Sequence, residues 1–257
     1  MKVLGIIQAR MGSSRLPGKV MLKLNKITIL EQVVSFLRNS KHIDKIIIAT
    51  TNLPEDDILC DLAQKIDIDC FRGSSENVLE RYYKCAKLNN GDLIVRITGD
   101  SPLIDYRLTD KAIKICQNLD LDYISNVLHL TYPLGYNSGE VFPFRILKKL
   151  YYSNRDRMSK EHVTYDIRKH PELYNVRELL APKSLRRPNW RFTIDYTEDY
   201  TFMKKLFSLL PRTNSTIKYD SIVKLLEMNS KLLQINQKYS INTKIDKINL
   251  IKDGLGI

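Results

Sequence analysis

Three cations, Arg10, Arg15 and Lys19, share one short segment with Gly12, Ser13, Ser14, Pro17 and Gly18. Cations held on a tight loop repel one another unless an anion with several charges lies among them, and a nucleoside triphosphate is such an anion. Glycines let the backbone approach a ligand and aim successive N–H groups at it. The segment is not a Walker A loop. Five residues separate Gly12 from Gly18, and Val20 follows Lys19, where that motif has four residues and then Ser or Thr after the Lys. It therefore reads as a phosphate cradle of another design. The alternative is a basic surface loop beside a first strand. It is the weaker reading, because the glycines, the proline and the cations coincide at the C-terminal end of a strand, where open α/β sheets bind ligands. Two carboxylates complete the chemistry. Asp100 follows the apolar run 92–98, and Asp195 follows Trp190-Arg191-Phe192-Thr193-Ile194, read as a strand. An aspartate after a strand is more often a helix N-cap than a metal ligand. Two of them beside a triphosphate cradle suit a hard cation with oxygen ligands.

The elements that must position these groups follow from hydrophobic periodicity. Val3–Gln8 is a buried, central strand of a parallel sheet. Residues 29–38 repeat apolar side chains three and four apart, which predicts an amphipathic helix with Thr28 near its N-cap. Strands are expected at 44–50, 69–71 and 92–98, with a helix over 54–65 and another that starts after a Ser75 N-cap and reaches Lys87. Strand and helix alternate to about residue 126, the pattern of a Rossmann-like, doubly wound, mostly parallel α/β sheet. Beyond a Gly-, Pro- and Asn-containing loop at 132–139, strands are predicted at 140–144, 174–180 and 190–194. Helices are predicted at 144–152, 158–169, 197–209 and 219–234, and a loosely packed tail from Tyr239.

Composition bounds the function. The 257 residues suit one large domain or a domain with an appended lobe, and 43% hydrophobic content suits a packed core. There is no run of about eighteen apolar residues and no signal-peptide pattern, so a cytoplasmic protein without membrane attachment is expected. Cys60, Cys70, Cys85 and Cys116 show no C-x-x-C spacing; reduced thiols are expected, with neither a zinc site nor a disulfide. The net charge of +12 comes from scattered lysines. It is compatible with a nucleotide ligand, and with no basic helix or aromatic platform it does not argue for nucleic acid.

The stretch Gln8-Ala9-Arg10-Met11-Gly12-Ser13-Ser14-Arg15-Leu16-Pro17-Gly18-Lys19 resembles the signature loop of the cytidylyltransferases that make CMP-activated sugar acids. These are the 3-deoxy-manno-octulosonate and acylneuraminate enzymes, and above all their spore-coat polysaccharide branch. Thr98-Gly99-Asp100-Ser101-Pro102 and Ile194-Asp195-Tyr196-Thr197-Glu198-Asp199 resemble the family's second and late motifs. The resemblance implies a nucleotide-diphospho-sugar transferase type of fold over residues 1–210. It also implies an inserted acceptor and dimerisation lobe at about 130–185, a C-terminal helical extension and tail over 211–257, and a homodimer. Ala9, Arg10, Gly12, Ser13, Ser14, Arg15, Lys19 and Asp100 would bind CTP, and Asp100 and Asp195 would hold Mg²⁺. The stretch from Phe71 to Arg81 is similar to the segment that holds the cytosine ring, with Arg72 and Ser74 as candidates. Thr98, Asn126, Glu140, Glu161 and His162 are the acceptor candidates, and Arg145, Arg168 or Arg191 could meet an acceptor carboxylate.

The expected reaction is transfer of CMP from CTP to a small acidic sugar with release of pyrophosphate, with Arg10, Arg15, Lys19, Asp100 and Asp195 carrying the catalysis. The sugar-acid enzymes often have Gln in place of Thr98, and their His or Arg pattern around the sugar has no match over Tyr136–Glu140, so another acceptor, such as a sugar phosphate, polyol phosphate or phosphonate, stays open. A nucleotide-sugar-dependent glycosyltransferase is the less favoured enzyme class. Its Asp-x-Asp would follow a central strand, and neither Asp67-Ile68-Asp69 nor Asp120-Leu121-Asp122 does so.

Overall fold

The computed structural model describes residues 1–129, 131–153, 156–211 and 217–240. Its frame is a seven-stranded sheet built from β1 (Val3–Gln8), β4 (Lys45–Thr51), β5 (Asp69–Gly73), β6 (Leu93–Thr98), β7 (Tyr123–Ser125), β8 (Glu140–Pro143) and β9 (Val176–Glu178), in the order β5-β4-β1-β6-β8-β7-β9. The first four strands in that order are parallel. β8 runs antiparallel to β6 and β7, and β9 is parallel to β7. A two-stranded ribbon, β2 (Lys23–Leu24) with β3 (Ile27–Thr28), stands apart from the sheet.

Helices cover both faces: α1 (Ile29–Leu37), α2 (Asp57–Lys65), α3 (Val78–Leu88), α4 (Tyr106–Asn118), α5 (Phe144–Ser153), α6 (Arg157–Glu161), α7 (Tyr165–Lys169), α8 (Thr197–Leu209) and α9 (Tyr219–Met228). Along β1, Val3 and Ile7 belong to one core cluster and Leu4 and Ile6 to the other. That is the two-residue period of a strand buried on both sides. The first cluster takes in α1, α4, α8 and α9, and the second takes in α3 and α5. α1 begins with a capping box: Glu31 N–H donates to Thr28 Oγ1 and Thr28 N–H to Glu31 Oε2.

The chain leaves β1 toward β4 and β5, then returns to add β6 on the other side of β1. This reversal opens a crevice at the C-terminal ends of β1 and β6. In register, Gln8 lies beside both Ala49 and Thr98, and Gly99 N–H donates to Gln8 O at 2.9 Å.

Four expectations need correction. The Trp190–Ile194 segment is not a sheet strand. It makes one isolated bridge, Leu134 with Arg191, because the loop at 132–136 lies against it; a Cβ on Gly135 (φ 94°) would stand 2.2 Å from Thr193 N. The N-cap of α3 is Asn77, whose side chain accepts from Glu80 N–H, and not Ser75. The helix predicted at 158–169 is two short helices separated at 162–164. Cys60 on α2 and Cys70 on β5 form a disulfide, their Cα atoms 5.4 Å apart, while Cys85 and Cys116 are free and buried. Folding α2 back onto β5 makes that pair, and sequence spacing carries no trace of it. The tail read as loosely packed lies mostly outside the described residues.

The Tyr82 hydroxyl, fully buried, donates at 3.0–3.1 Å to the carbonyl oxygens of Ile6 on β1 and Ile97 on β6. It ties together the two strands that bound the crevice. Tyr82→Phe is expected to lower stability by about 1 kcal/mol, seen as a shift of the urea midpoint at constant slope.

Candidate active site

The loop that leaves β1 is tied down from β4. Asp56, wholly buried, accepts from Met11 N–H at 2.6 Å and from the Thr51 hydroxyl. Met11 O in turn receives the N–H groups of Ser13 and Gly18, each at 2.8 Å, which curls the segment into a compact turn. Two glycines make this possible. A Cβ on Gly12 would come within 2.7 Å of Glu55 Oε1, and Gly18 has φ 67° as it enters the short helical turn Lys19–Met21. The N–H groups of Gly12, Ser14 and Arg15 have no hydrogen-bond partner among the described residues. Ser14 and Arg15 line a cleft with Ala9, Arg10 and Ser13, and Gly12 is not among its lining residues.

Asp100 and Asp195 come together here. Lys19 Nζ lies 2.6 Å from Asp100 Oδ2, 2.9 Å from Asp195 Oδ1 and 2.7 Å from Ile194 O. One ammonium therefore spans both carboxylates. The backbone also joins the two segments, since Ile194 N–H donates to Asp100 O at 3.0 Å. This single bond docks the 190–195 segment on the end of β6 without making it a strand. Arg15 Nη2 adds a second cation on Asp195 Oδ1 at 2.8 Å, with its guanidinium over the Tyr196 ring, and Arg191 Nη2 contacts Asp195 Oδ2 at 2.6 Å. Burial alone would raise the pKa of Asp195, but Lys19, Arg15 and Arg191 outweigh it and hold the carboxyl at about 2. Burial likewise disfavours the Lys19 ammonium. Asp100 and Asp195 overcome that, and the Lys19 pKa lies above the usual lysine value.

The far wall contains a residue that the sequence reading did not select. Arg81 on α3 is only 2% exposed and lines the cleft beside Val78. Its Nη1 donates to Ser74 O at 2.8 Å, its Nε has no partner, and no carboxylate among the described residues pairs with it. Burial, and Arg10 nearby, pull its pKa below the usual arginine value. Sequence periodicity held the signal: Val78, Tyr82 and Cys85 form the apolar stripe of α3, and Arg81 sits on it. A charge on such a stripe needs a partner.

Thr98, Glu161 and His162 also line the cleft. Burial, then Arg168, hold the His162 imidazole below its ordinary pKa, so it is neutral at neutral pH. Other predicted residues are engaged elsewhere. Arg72 pairs with Asp57 and donates to Thr51 O and Leu53 O, and the Ser74 hydroxyl accepts from Asn77 N–H; neither lines the cleft. Asn126 holds the 136–138 turn through Tyr136 O and Ser138 N–H. Glu140 is buried under Arg96, Tyr123 and Thr164, and Arg96 passes this contact to the cleft by donating to Gln8 Oε1 at 3.0 Å. Arg145 pairs with Asp120 and Asp122, and Arg191 with Asp195 and Asp199; neither lines the cleft. Arg168 does not line the cleft, and its Nε is buried without a partner.

Residues 4–245 match the family described as cytidylyltransferase. The spore coat polysaccharide biosynthesis protein SpsF of Bacillus subtilis is 41% identical over 212 residues, covering 80% of this chain and 86% of that one. A 3-deoxy-manno-octulosonate cytidylyltransferase of Solibacter usitatus is 32% identical over 114 residues, 44% of each chain. Among solved structures, a cytidylyltransferase from Leptospira borgpetersenii superposes with a TM-score of 0.86 at 31% identity, covering 91% of this chain and 97% of that one. A CMP:2-keto-3-deoxy-manno-octonic acid synthetase solved with CTP superposes with a TM-score of 0.62 at 16% identity, covering 81% and 99%, and shares the fold. No helix of the described residues is long and apolar enough to cross a membrane.

The depressed pKa of Asp195 has a stability consequence. Its carboxyl titrates at about 2 in the folded chain against a reference of 3.8, so its contribution is complete above pH ~4 and is lost as pH falls toward ~2. The stability difference between native protein and Asp195→Asn should be flat above pH ~4 and shrink on the order of 2 kcal/mol below it. Urea unfolding across pH 2–6 checks this; a difference that grows on acidification would mean that burial outweighs the three cations.

Proposed function

The chain belongs to the cytidylyltransferase family, enzymes that use CTP, and from that premise we propose that it transfers CMP to a sugar acid of the octulosonate or nonulosonate kind and releases pyrophosphate. The observation that carries this reading is the placement of Lys19 between Asp100 and Asp195, at the mouth of a loop with unpartnered N–H groups.

The triphosphate of CTP lies along residues 10–19, where the free N–H groups and Arg10 meet its oxygens. Arg15 and Lys19 exchange their carboxylate partners for phosphate oxygens; Arg15, with its side chain 52% exposed, is free to swing. Charge that builds on the departing pyrophosphate is then met by cations and N–H groups already in position, so catalysis rests on placement and electrostatics. Arg81, without a carboxylate partner, offers the opposite wall a hydrogen-bond donor for the nucleotide.

Asp100 and Asp195 are the residues that would hold Mg²⁺. The fit is chemical: their oxygens already converge on one cationic centre, the Lys19 ammonium, and no third carboxylate, His or Cys joins them in a metal-holding group among the described residues. Magnesium characteristically takes one or two carboxylates and completes its shell with phosphate and water oxygens. When bound, the ion would neutralise phosphate charge and lower the pKa of an acceptor hydroxyl. The acceptor occupies the end of the cleft lined by Thr98, Glu161 and His162. The neutral imidazole of His162 can accept a hydrogen bond from an acceptor hydroxyl there.

Lys19→Ala and Asp100→Asn should each lower pyrophosphate release from CTP by on the order of 100-fold or more; near-native rates in both would overturn the site. A panel of four nucleoside triphosphates against sugar acids, sugar phosphates, polyol phosphates and phosphonates, read by phosphate release after pyrophosphatase, should favour CTP with a sugar acid. A sugar, polyol or phosphonate phosphorus acceptor as the preferred partner would keep the nucleotide site and replace the acceptor.

A further inference from the structure

The last described turn of the chain, residues 236–240, follows α9 and lies outside the sheet and its covering helices, yet it reaches the back of Asp195. Asn236 is 2% exposed. Its amide donates both hydrogens inward, one to Arg191 O at 3.1 Å and one to Asp199 Oδ1 at 2.9 Å. Asp199, wholly buried, is the node of the arrangement. Its Oδ2 accepts from the N–H groups of Asp195 at 3.0 Å and Tyr196 at 3.1 Å, and both its oxygens face Arg191 Nε. Arg191 then reaches forward to Asp195 Oδ2. Three residues further on, the Tyr239 ring lies parallel to Tyr196 with centroids 3.8 Å apart, and Tyr196 carries the Arg15 guanidinium on its ring.

We infer that Asn236 and Tyr239 are positioning residues that set the backbone and carboxylate of Asp195 for the transfer step. Neither touches the cleft. Asn236 acts through Asp199 and Arg191, and Tyr239 through Tyr196. The inference rests on the nucleotidyl-transfer reading only for its catalytic consequence. Its physical content is the restraint of residues 195–196. An Asn suits the node because one amide group supplies two donors and no charge. An aspartate there would set a second carboxylate against Asp199, and an alanine would leave Arg191 O and Asp199 Oδ1 each short of a donor in a buried place.

The test compares Asn236→Ala, Tyr239→Ala and Tyr239→Phe with the native chain by amide hydrogen exchange and by kinetics with CTP and the best acceptor of the panel. In Asn236→Ala, exchange at the Asp195 and Tyr196 amides should rise by about 10-fold or more, while Ile6 and Ile97 in the central strands keep their native rates. The kcat should fall by about 10- to 100-fold, with the KM for CTP within about twofold of native. Tyr239→Phe keeps the ring stack and should restore native values; Tyr239→Ala should follow Asn236→Ala. Native exchange at residues 195–196 in both alanine variants, or exchange that rises equally in β1 and β6, would overturn the inference. If the native chain turns over CTP with no acceptor, the functional reading fails, and the exchange rates still decide whether the turn restrains Asp195.

Discussion

The ammonium of Lys19, held between Asp100 and Asp195, is the contact on which the site depends. Each partner comes from a different part of the chain: the loop after β1, the end of β6, and the segment before α8. A lysine so enclosed is costly to charge unless carboxylates surround it, and two like-charged carboxylates are costly to bring together without a cation. The three groups stabilise one another where none would be stable alone.

The restraints around this contact are graded. Immediately behind it, Arg191 and Asp199 hold the backbone of residues 195–196. On the other side Asp56, in the turn that follows β4, holds Met11, so the cationic loop is anchored by an acid from a neighbouring segment. Beneath the cleft the Arg96–Glu140 pair, closed by the hydroxyls of Tyr123 and Thr164, supports Gln8. Burial opposes ionisation of Glu140, but Arg96 and Arg168 outweigh it and keep its pKa below the usual value. Buried polar networks of this kind favour one arrangement when their members are satisfied. Among the unpartnered groups of the described residues, Arg81 Nε and the N–H groups of Ser14 and Arg15 belong to residues that line the cleft, while Thr50 Oγ1, Arg96 Nε and Arg168 Nε do not.

The sheet and its helices were legible because they depend on local pattern. Val3–Gln8, Lys45–Thr51 and Leu93–Thr98 are apolar runs bounded by turn residues, and Thr28 with Glu31 spells out a capping box. Where the structure departs from local pattern, or engages a candidate side chain away from the cleft, the origin is different. Trp190–Ile194 has a strand's composition, but its pairing partner is the 132–136 loop, so it docks by an isolated bridge. Asn126 and Glu140 are polar residues near the cleft whose side chains turn toward turns and buried partners. Arg72 meets Asp57 because α2 folds back over β5, the same packing that joins Cys60 to Cys70.

Residue type and spacing alone determined the alternation of strand and helix, the cationic Gly-containing loop after the first strand, and the aspartates that had to be considered with it. These are properties of neighbouring residues, whose backbone preferences and charges act over a few positions. Tertiary structure alone decided that Asp100 and Asp195 share one lysine, that Arg81 faces the cleft while Arg72 does not, and that Asn236 reaches the back of Asp195. Those outcomes depend on which distant segments the sheet reversal and the final turn bring within hydrogen-bond range, and no local preference encodes a distance of that kind.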